Sequence, residues 1–109
     1  MMEIVYGIED FKKRVDFSKP IHHDGWRESV DEHGILYKLT FRIYGISKDG
    51  VHIVVYESHV KVSTLDIPDN YRQTNNAYKN LDLWCKDLFE KFAKENAEPL
   101  GSTPGRWEP

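Results

Sequence analysis

Two stretches of alternating apolar and polar residues, 35–46 and 51–62, flank Ser47-Lys48-Asp49-Gly50 and predict one long β-hairpin. Asp49-Gly50 suits a two-residue turn with both residues at positive φ, which pairs Lys48 with Val51. Continued along the strands, that register sets Ile43 opposite Tyr56, Phe41 opposite Ser58, Leu39 opposite Val60 and Tyr37 opposite Val62. One face is therefore almost wholly apolar. The other sets Arg42 opposite Glu57, an opposite-charge pair that favours the same register. A four-residue loop would keep the faces but place Arg42 opposite Val55, and a three-residue loop would turn one strand over.

Helical spacing appears twice. Near the start, residues 2–6 read as a short strand and 8–17 as a helix that buries Ile8, Phe11 and Val15 while Lys12, Lys13 and Arg14 face out. After Ile67-Pro68-Asp69-Asn70 breaks the sheet, Thr74 or Asn75 can cap a helix running to about residue 96. Tyr78, Leu81, Trp84, Cys85, Leu88, Phe89 and Phe92 form its apolar stripe. Asp82 with Lys86, Asp87 with Lys91 and Glu90 with Lys94 are spaced for ion pairs on its other side.

Pro20 and Asp24-Gly25 mark residues 18–24 as loop, and residues 26–31 read as a strand whose polarity suits a sheet edge. With a turn at Glu32-His33, Trp26, Glu28 and Val30 share the core face with Leu39, Tyr37 and Ile35, so Glu28 needs a donor such as Tyr37 or a place at the rim. Residues 97–109, rich in Pro and Gly, cannot prolong the helix and read as a tail. The expected fold is α+β: an antiparallel sheet of three to four strands, packed on one face by a long C-terminal helix, with a short N-terminal helix. The expected division is one domain over residues 1–96 and a tail over 97–109.

Composition narrows the class of protein. At 109 residues with 39% hydrophobic content, the chain suits one folded domain. Its longest uninterrupted apolar run, Ile53-Val54-Val55-Tyr56, is far below the roughly 20 residues of a membrane span. The opening Met-Met-Glu-Ile-Val-Tyr lacks the regions of a signal peptide. A single cysteine, Cys85, allows no internal disulfide and suits a reducing compartment. The expectation is a cytoplasmic protein with no membrane partner. A net charge of −3 supplies no global attraction to nucleic acid.

No segment spells out a reaction. His22, His23, Asp24 and His33 are the clustered metal-type ligands, but adjacent histidines in extended chain point to opposite sides, and no metal or other cofactor is expected. Cys85 lies on the apolar stripe and reads as a structural thiol. Glycine-rich phosphate loops, nucleophile elbows and paired metalloprotease histidines do not occur, and no catalytic residue is assigned.

The order helix, three strands, helix resembles the double-stranded RNA-binding domain in topology. Asn75-Asn76-Ala77-Tyr78-Lys79 opens the last helix with one cation where that family presents several, so the resemblance implies topology and not RNA binding.

The outer sheet face remains as the place for a function. Its turn-proximal end is apolar through Tyr44, Ile46, Ile53 and Val55, a patch needing cover from the N-terminal segment, the tail with Trp107, or another chain. Its other end lines up Arg27, Lys38 and Lys61, with Thr40 and His59 in the next row. The leading expectation is a non-enzymatic interaction module that binds a protein partner or a second copy, as a dimer, through the apolar patch. The alternative is a nucleic-acid or anion-binding module through Arg27, Lys38, His59 and Lys61. A small enzyme is the third reading.

Overall fold

The computed structural model describes residues 1–72 and 76–109. Among these the order is β1 (Met2–Val5), α1 (Ile8–Arg14), β2 (His22–Ser29), β3 (Leu36–Ile46), β4 (Ile53–Ser63), α2 (Ala77–Phe92) and β5 (Arg106–Glu108), with short 3-10 turns after β4. The sheet has five strands in the order β1-β4-β3-β2-β5. It is mixed: β2, β3 and β4 form an antiparallel meander, while β1 and β5 add in parallel at the two edges. The fold is α+β as the pattern indicates, but with two more strands than the meander and with parallel edges. The short strand expected over residues 2–6 is present as β1, whereas the three-residue β5 carries too little alternation to be read from sequence, and no local pattern shows that either edge pairs in parallel.

The β3–β4 register is the expected one, from Leu36 opposite Ser63 to Ile46 opposite Ile53. Its turn differs. Ser47 N–H donates to the His52 carbonyl (2.8 Å) and Gly50 N–H to that of Ser47 (2.9 Å), so four residues, 48–51, lie outside the ladder. Gly50 alone takes positive φ (75°), because the Asp49 carboxylate bonds the Ser47 hydroxyl and the Val51 N–H instead. This loop is centred on residues 49 and 50, which is why it preserves Arg42 opposite Glu57.

The β2–β3 connection overturns the expected facing of β2. The ladder pairs Trp26 with Thr40 and Arg27 with Leu39, one residue away from the predicted register. Val30 N–H still reaches the Leu36 carbonyl (2.9 Å), leaving a five-residue loop. There Asp31 accepts from the N–H groups of Ile35 (3.0 Å) and Leu36 (3.3 Å), and Gly34 turns at φ 65°. An odd loop exchanges the faces. Arg27 therefore points to the core side, and Trp26 and Glu28 to the outer side.

Both helices pack on the inner face. Phe89 of α2 stands over Gly25, whose added Cβ would lie 2.7 Å from the Phe89 ring, and Phe92 meets Phe41 (5.1 Å) and Tyr56 (5.9 Å). At the turn end α1 sets Phe11 and Val15 over Gly45. Leu39, Ile43, Val54, Leu81 and Cys85 are fully buried between these layers. The α2 cap is Asn76, which accepts from Lys79 N–H (3.0 Å). Thr74 and Asn75, expected as caps, and the Tyr78 side chain, expected on the stripe, lie outside the described residues.

The helix continues through a π turn (Ala93–Ala97) and a 3-10 turn (Glu98–Leu100) and stops at Gly101 in the left-handed region (φ 79°). The Pro/Gly-rich segment then runs back along β2. Thr103 N–H donates to the Ile21 carbonyl (3.0 Å), and Trp107 packs on Phe41 (6.1 Å) and Phe89 (5.7 Å). Gly45 is the tightest contact between α1 and the sheet. A Cβ there would lie 2.5 Å from Val15 Cγ1, so Gly45→Ala is expected to lower stability by about 1–3 kcal/mol in urea unfolding.

Candidate functional site

The outer face is built from alternate residues of all five strands, so its composition follows from register. From the turn end inward, successive rows read Met2, Ile53 and Ile46; Ile4, Val55, Tyr44 and His22; Glu57, Arg42, Asp24 and Arg106; His59, Thr40, Trp26 and Glu108; and Lys61, Lys38 and Glu28. Among the described residues no helix covers it. Two zones result, one apolar and one polar.

In the polar zone the side chains hold one another. Arg42 Nη2 lies 3.2 Å from Glu57 Oε2, with its guanidinium 4.9 Å from the Trp26 ring centre. Glu57 is buried (8% exposed), and its other oxygen lies 2.8 Å from His59 Nε2. His59 Nδ1 is 3.3 Å from the Thr40 hydroxyl. On the far side of Arg42, the Tyr44 hydroxyl donates to Asp24 Oδ2 (3.1 Å), while the Trp26 indole N–H donates to Glu28 (2.6 Å). Asp24 Oδ1 is buried without a hydrogen-bond partner among the described residues. Burial pushes the Asp24 carboxyl above its ordinary value, against the opposing pull of Tyr44 and Arg42. Burial likewise raises the Tyr44 phenol.

Thr40, His59 and Glu57 have the connectivity of a hydroxyl-imidazole-carboxylate triad. Their setting denies it that chemistry. Thr40 is 2% exposed, so no substrate carbonyl reaches its hydroxyl. Thr40 also sits mid-strand between two ladder partners, where backbone N–H groups are taken up by the sheet and cannot form an oxyanion hole.

In the apolar zone, Tyr44, Ile46 and Ile53 line an open depression of about 260 Å³ together with Pro20 and His22. Ile53 is 43% exposed, and Met2 (50%) and Ile4 (39%) extend the patch to the β1 edge. Val55 has no exposed surface, being flanked by Ile4 and Tyr44 in adjacent strands, so it supports the patch from below. The N-terminal segment thus enlarges the patch instead of covering it. The tail lies at the opposite edge with Trp107 on the inner face.

The basic row changes most. Lys38 and Lys61 are opposite one another, and His59 follows in the next row. Arg27 does not join them. It faces α2, where its Nη2 meets Asp82 (2.7 Å) and its guanidinium lies 4.9 Å from the Tyr37 ring centre. Glu28 takes its place, so the row is Glu28, Lys38 and Lys61. Asp82 is thereby drawn away from Lys86, and Asp87 accepts from the Tyr71 hydroxyl (2.7 Å). Among the described residues none of the three expected helix ion pairs forms.

The histidines serve the tail. His22, on the outer face, bonds Thr103 (3.0 Å), and His23, on the inner face, bonds Ser102, while His33 lies apart in the β2–β3 loop. Among the described residues no group of three His, Cys, Asp or Glu side chains is placed to hold a metal ion. Beside His23, α2 and the returning tail enclose a groove of about 830 Å³ over Phe89 and Trp107. Burial lowers the His23 imidazole, and its bonded neighbour is a serine rather than a carboxylate. Cys85 is fully buried and burial pushes its thiol up to about 11.

The members of the outer network that sequence reasoning placed elsewhere are Asp24, read as loop, and Trp26 and Glu28, read as facing the core; no local signal gives them away, because their facing follows from the length of the β2–β3 loop. No family model, curated protein or solved structure matches this chain.

Two outcomes follow from these environments. Because the folded Asp24 carboxyl titrates above its unfolded value near 3.8, the folded state binds the extra proton between those two values, and wild-type stability falls as pH rises through that window. Asp24→Asn, which still accepts from Tyr44, is expected to be more stable than wild type at pH 7, with the difference vanishing below pH 3.8 in paired thermal melts. Cys85 is expected to resist a maleimide in the native protein and to react fully in denaturant; native labelling at the rate of a free thiol would place it at the surface.

Proposed function

We propose that this chain is a non-enzymatic interaction module that docks a protein on the outer face of its sheet. The observation that carries the reading is the segregation of the two faces. α1 and α2 both pack on the inner side, so the outer side keeps a contiguous surface of Met2, Ile4, Tyr44, Ile46 and Ile53 beside a polar lattice. Tyr44, Trp26 and Arg42 sit at its centre, and these are the residue types that dominate protein-protein contacts. Their rotamers are already held by Asp24, Glu28 and Glu57, which lowers the ordering cost of association.

Protein is a better match than nucleic acid. The row that would have tracked phosphates holds Glu28 beside Lys38, and His59 and Arg42 are both engaged by Glu57. The depression is shallow and apolar, which suits an inserted aliphatic or aromatic side chain rather than a phosphate.

A photo-crosslinking residue at Ile53 is expected to give a discrete protein adduct in cells. The same residue at Leu83, comparably exposed (47%) but on α2, is expected not to give it. Adding Ile46→Asp should remove the Ile53 adduct. An identical adduct from both positions, or none from Ile53, would overturn the reading.

A further inference from the structure

The two edges of the sheet are guarded differently. At one edge, β5 carries Arg106 and Glu108 as an exposed ion pair (2.9 Å) between Pro104 and Pro109, features that discourage further strand pairing. At the other edge, β1 carries no proline or lysine, and exposes Met2 and Ile4.

The backbone of β1 is divided between two directions. Ile53 N–H donates to the Met1 carbonyl (3.0 Å), and β1 runs parallel to β4 with Met2 opposite Ile53 and Ile4 opposite Val55. In such a ladder the odd residues of β1 supply the groups bonded to β4. The N–H and C=O groups of Met2 and Ile4 therefore point away from the sheet.

From this arrangement we infer that a second copy of the chain pairs with β1 across a two-fold axis, extending the sheet through both molecules. A strand paired with its own copy about a two-fold is antiparallel, and within β1 only one such register satisfies the outward groups of both Met2 and Ile4. Met2 pairs with Ile4 of the other copy, and Ile4 with its Met2, in four backbone hydrogen bonds. Glu3 then faces its own counterpart at the axis in a pair without hydrogen bonds. Each Glu3 is already neutralised by Arg14 of its own chain (3.0 Å), so the axis does not bring together two bare carboxylates. On the outer face, Met2 and Ile4 of the two copies meet and join the two apolar patches into one surface. A different partner strand would satisfy the backbone equally but would lack this matched self-pairing of side chains and charges.

This goes beyond the docking reading, since it uses the sheet edge and not the face. The expected result is a weight-average mass in sedimentation equilibrium that rises with concentration from 12.8 kDa toward twice that value. Ile4→Lys should return it to the monomer with the far-ultraviolet spectrum retained, because Ile4 is 39% exposed. Ile46→Asp, two strands away, should leave the dimer intact. Register is read separately: Glu3→Cys with oxidised glutathione should trap a disulfide-linked dimer, because antiparallel pairs without hydrogen bonds hold Cα atoms about 4.5 Å apart. Glu9→Cys, exposed on α1, should not. A monomer at all concentrations, or equal trapping from Glu3→Cys and Glu9→Cys, would overturn the inference. Loss of the dimer in Ile46→Asp but not in Ile4→Lys would also overturn it, and would assign self-association to the outer face.

Discussion

Everything in this molecule is placed by the β3–β4 ladder. Eleven residues of β3 pair with eleven of β4, and the alternation of side chains commits Tyr37, Leu39, Phe41 and Ile43 to one side and Lys38, Thr40, Arg42 and Tyr44 to the other. A slip of one residue would turn Lys38 and Arg42 toward the core and Leu39, Phe41 and Ile43 away from it. The other elements then attach to a surface already sorted. Gly45 and Gly25, without Cβ atoms on that inner surface, are where α1 and α2 come closest to the sheet.

The placement of β2 shows how one loop redistributes charge through the domain. With five residues between Val30 and Leu36 outside the ladder, Arg27 enters the space beneath α2. A largely buried guanidinium without a counter-ion costs several kcal/mol, whereas an exposed pair along a helix contributes a few tenths. Asp82 accordingly turns to Arg27 rather than to Lys86. The helix gives up a weak local pair to satisfy a strong distant requirement. The same inversion sends Trp26 and Asp24 outward, where Arg42 lies over the indole and Tyr44 reaches the carboxylate. The β2 share of the polar lattice, Asp24, Trp26 and Glu28, is on the outer face only because β2 is turned over.

That lattice bears on the proposed function through its rigidity. Glu57 and Thr40 are nearly buried although among the described residues no helix lies above them, because Arg42, His59 and Trp26 fold over the strands. Asp24 retains a desolvated carboxylate there, one of whose oxygens has no hydrogen-bond partner among the described residues. On the proposed docking reading, this face, with a desolvated carboxylate held in a fixed geometry next to an open apolar patch, is a preformed surface for a partner.

What the amino-acid sequence determined by itself was the hairpin, the two helices and the inner face of β3 and β4. These rest on long periodic patterns, and the Arg42–Glu57 pair confirms the register independently of the turn, which differs in detail. Leu81, Cys85, Phe89 and Phe92 were legible as core for the same reason. What only the tertiary structure decided was the parity of the β2–β3 loop, the strand β5, the parallel pairing of both edges and the ion-pair partner of Asp82. Each depends on contacts between residues far apart in the chain. Local pattern is silent there, because a strand of three residues repeats too few times, a short strand carries no mark of which neighbour it pairs with, and a loop one residue longer reads almost the same while exchanging every side chain between the faces.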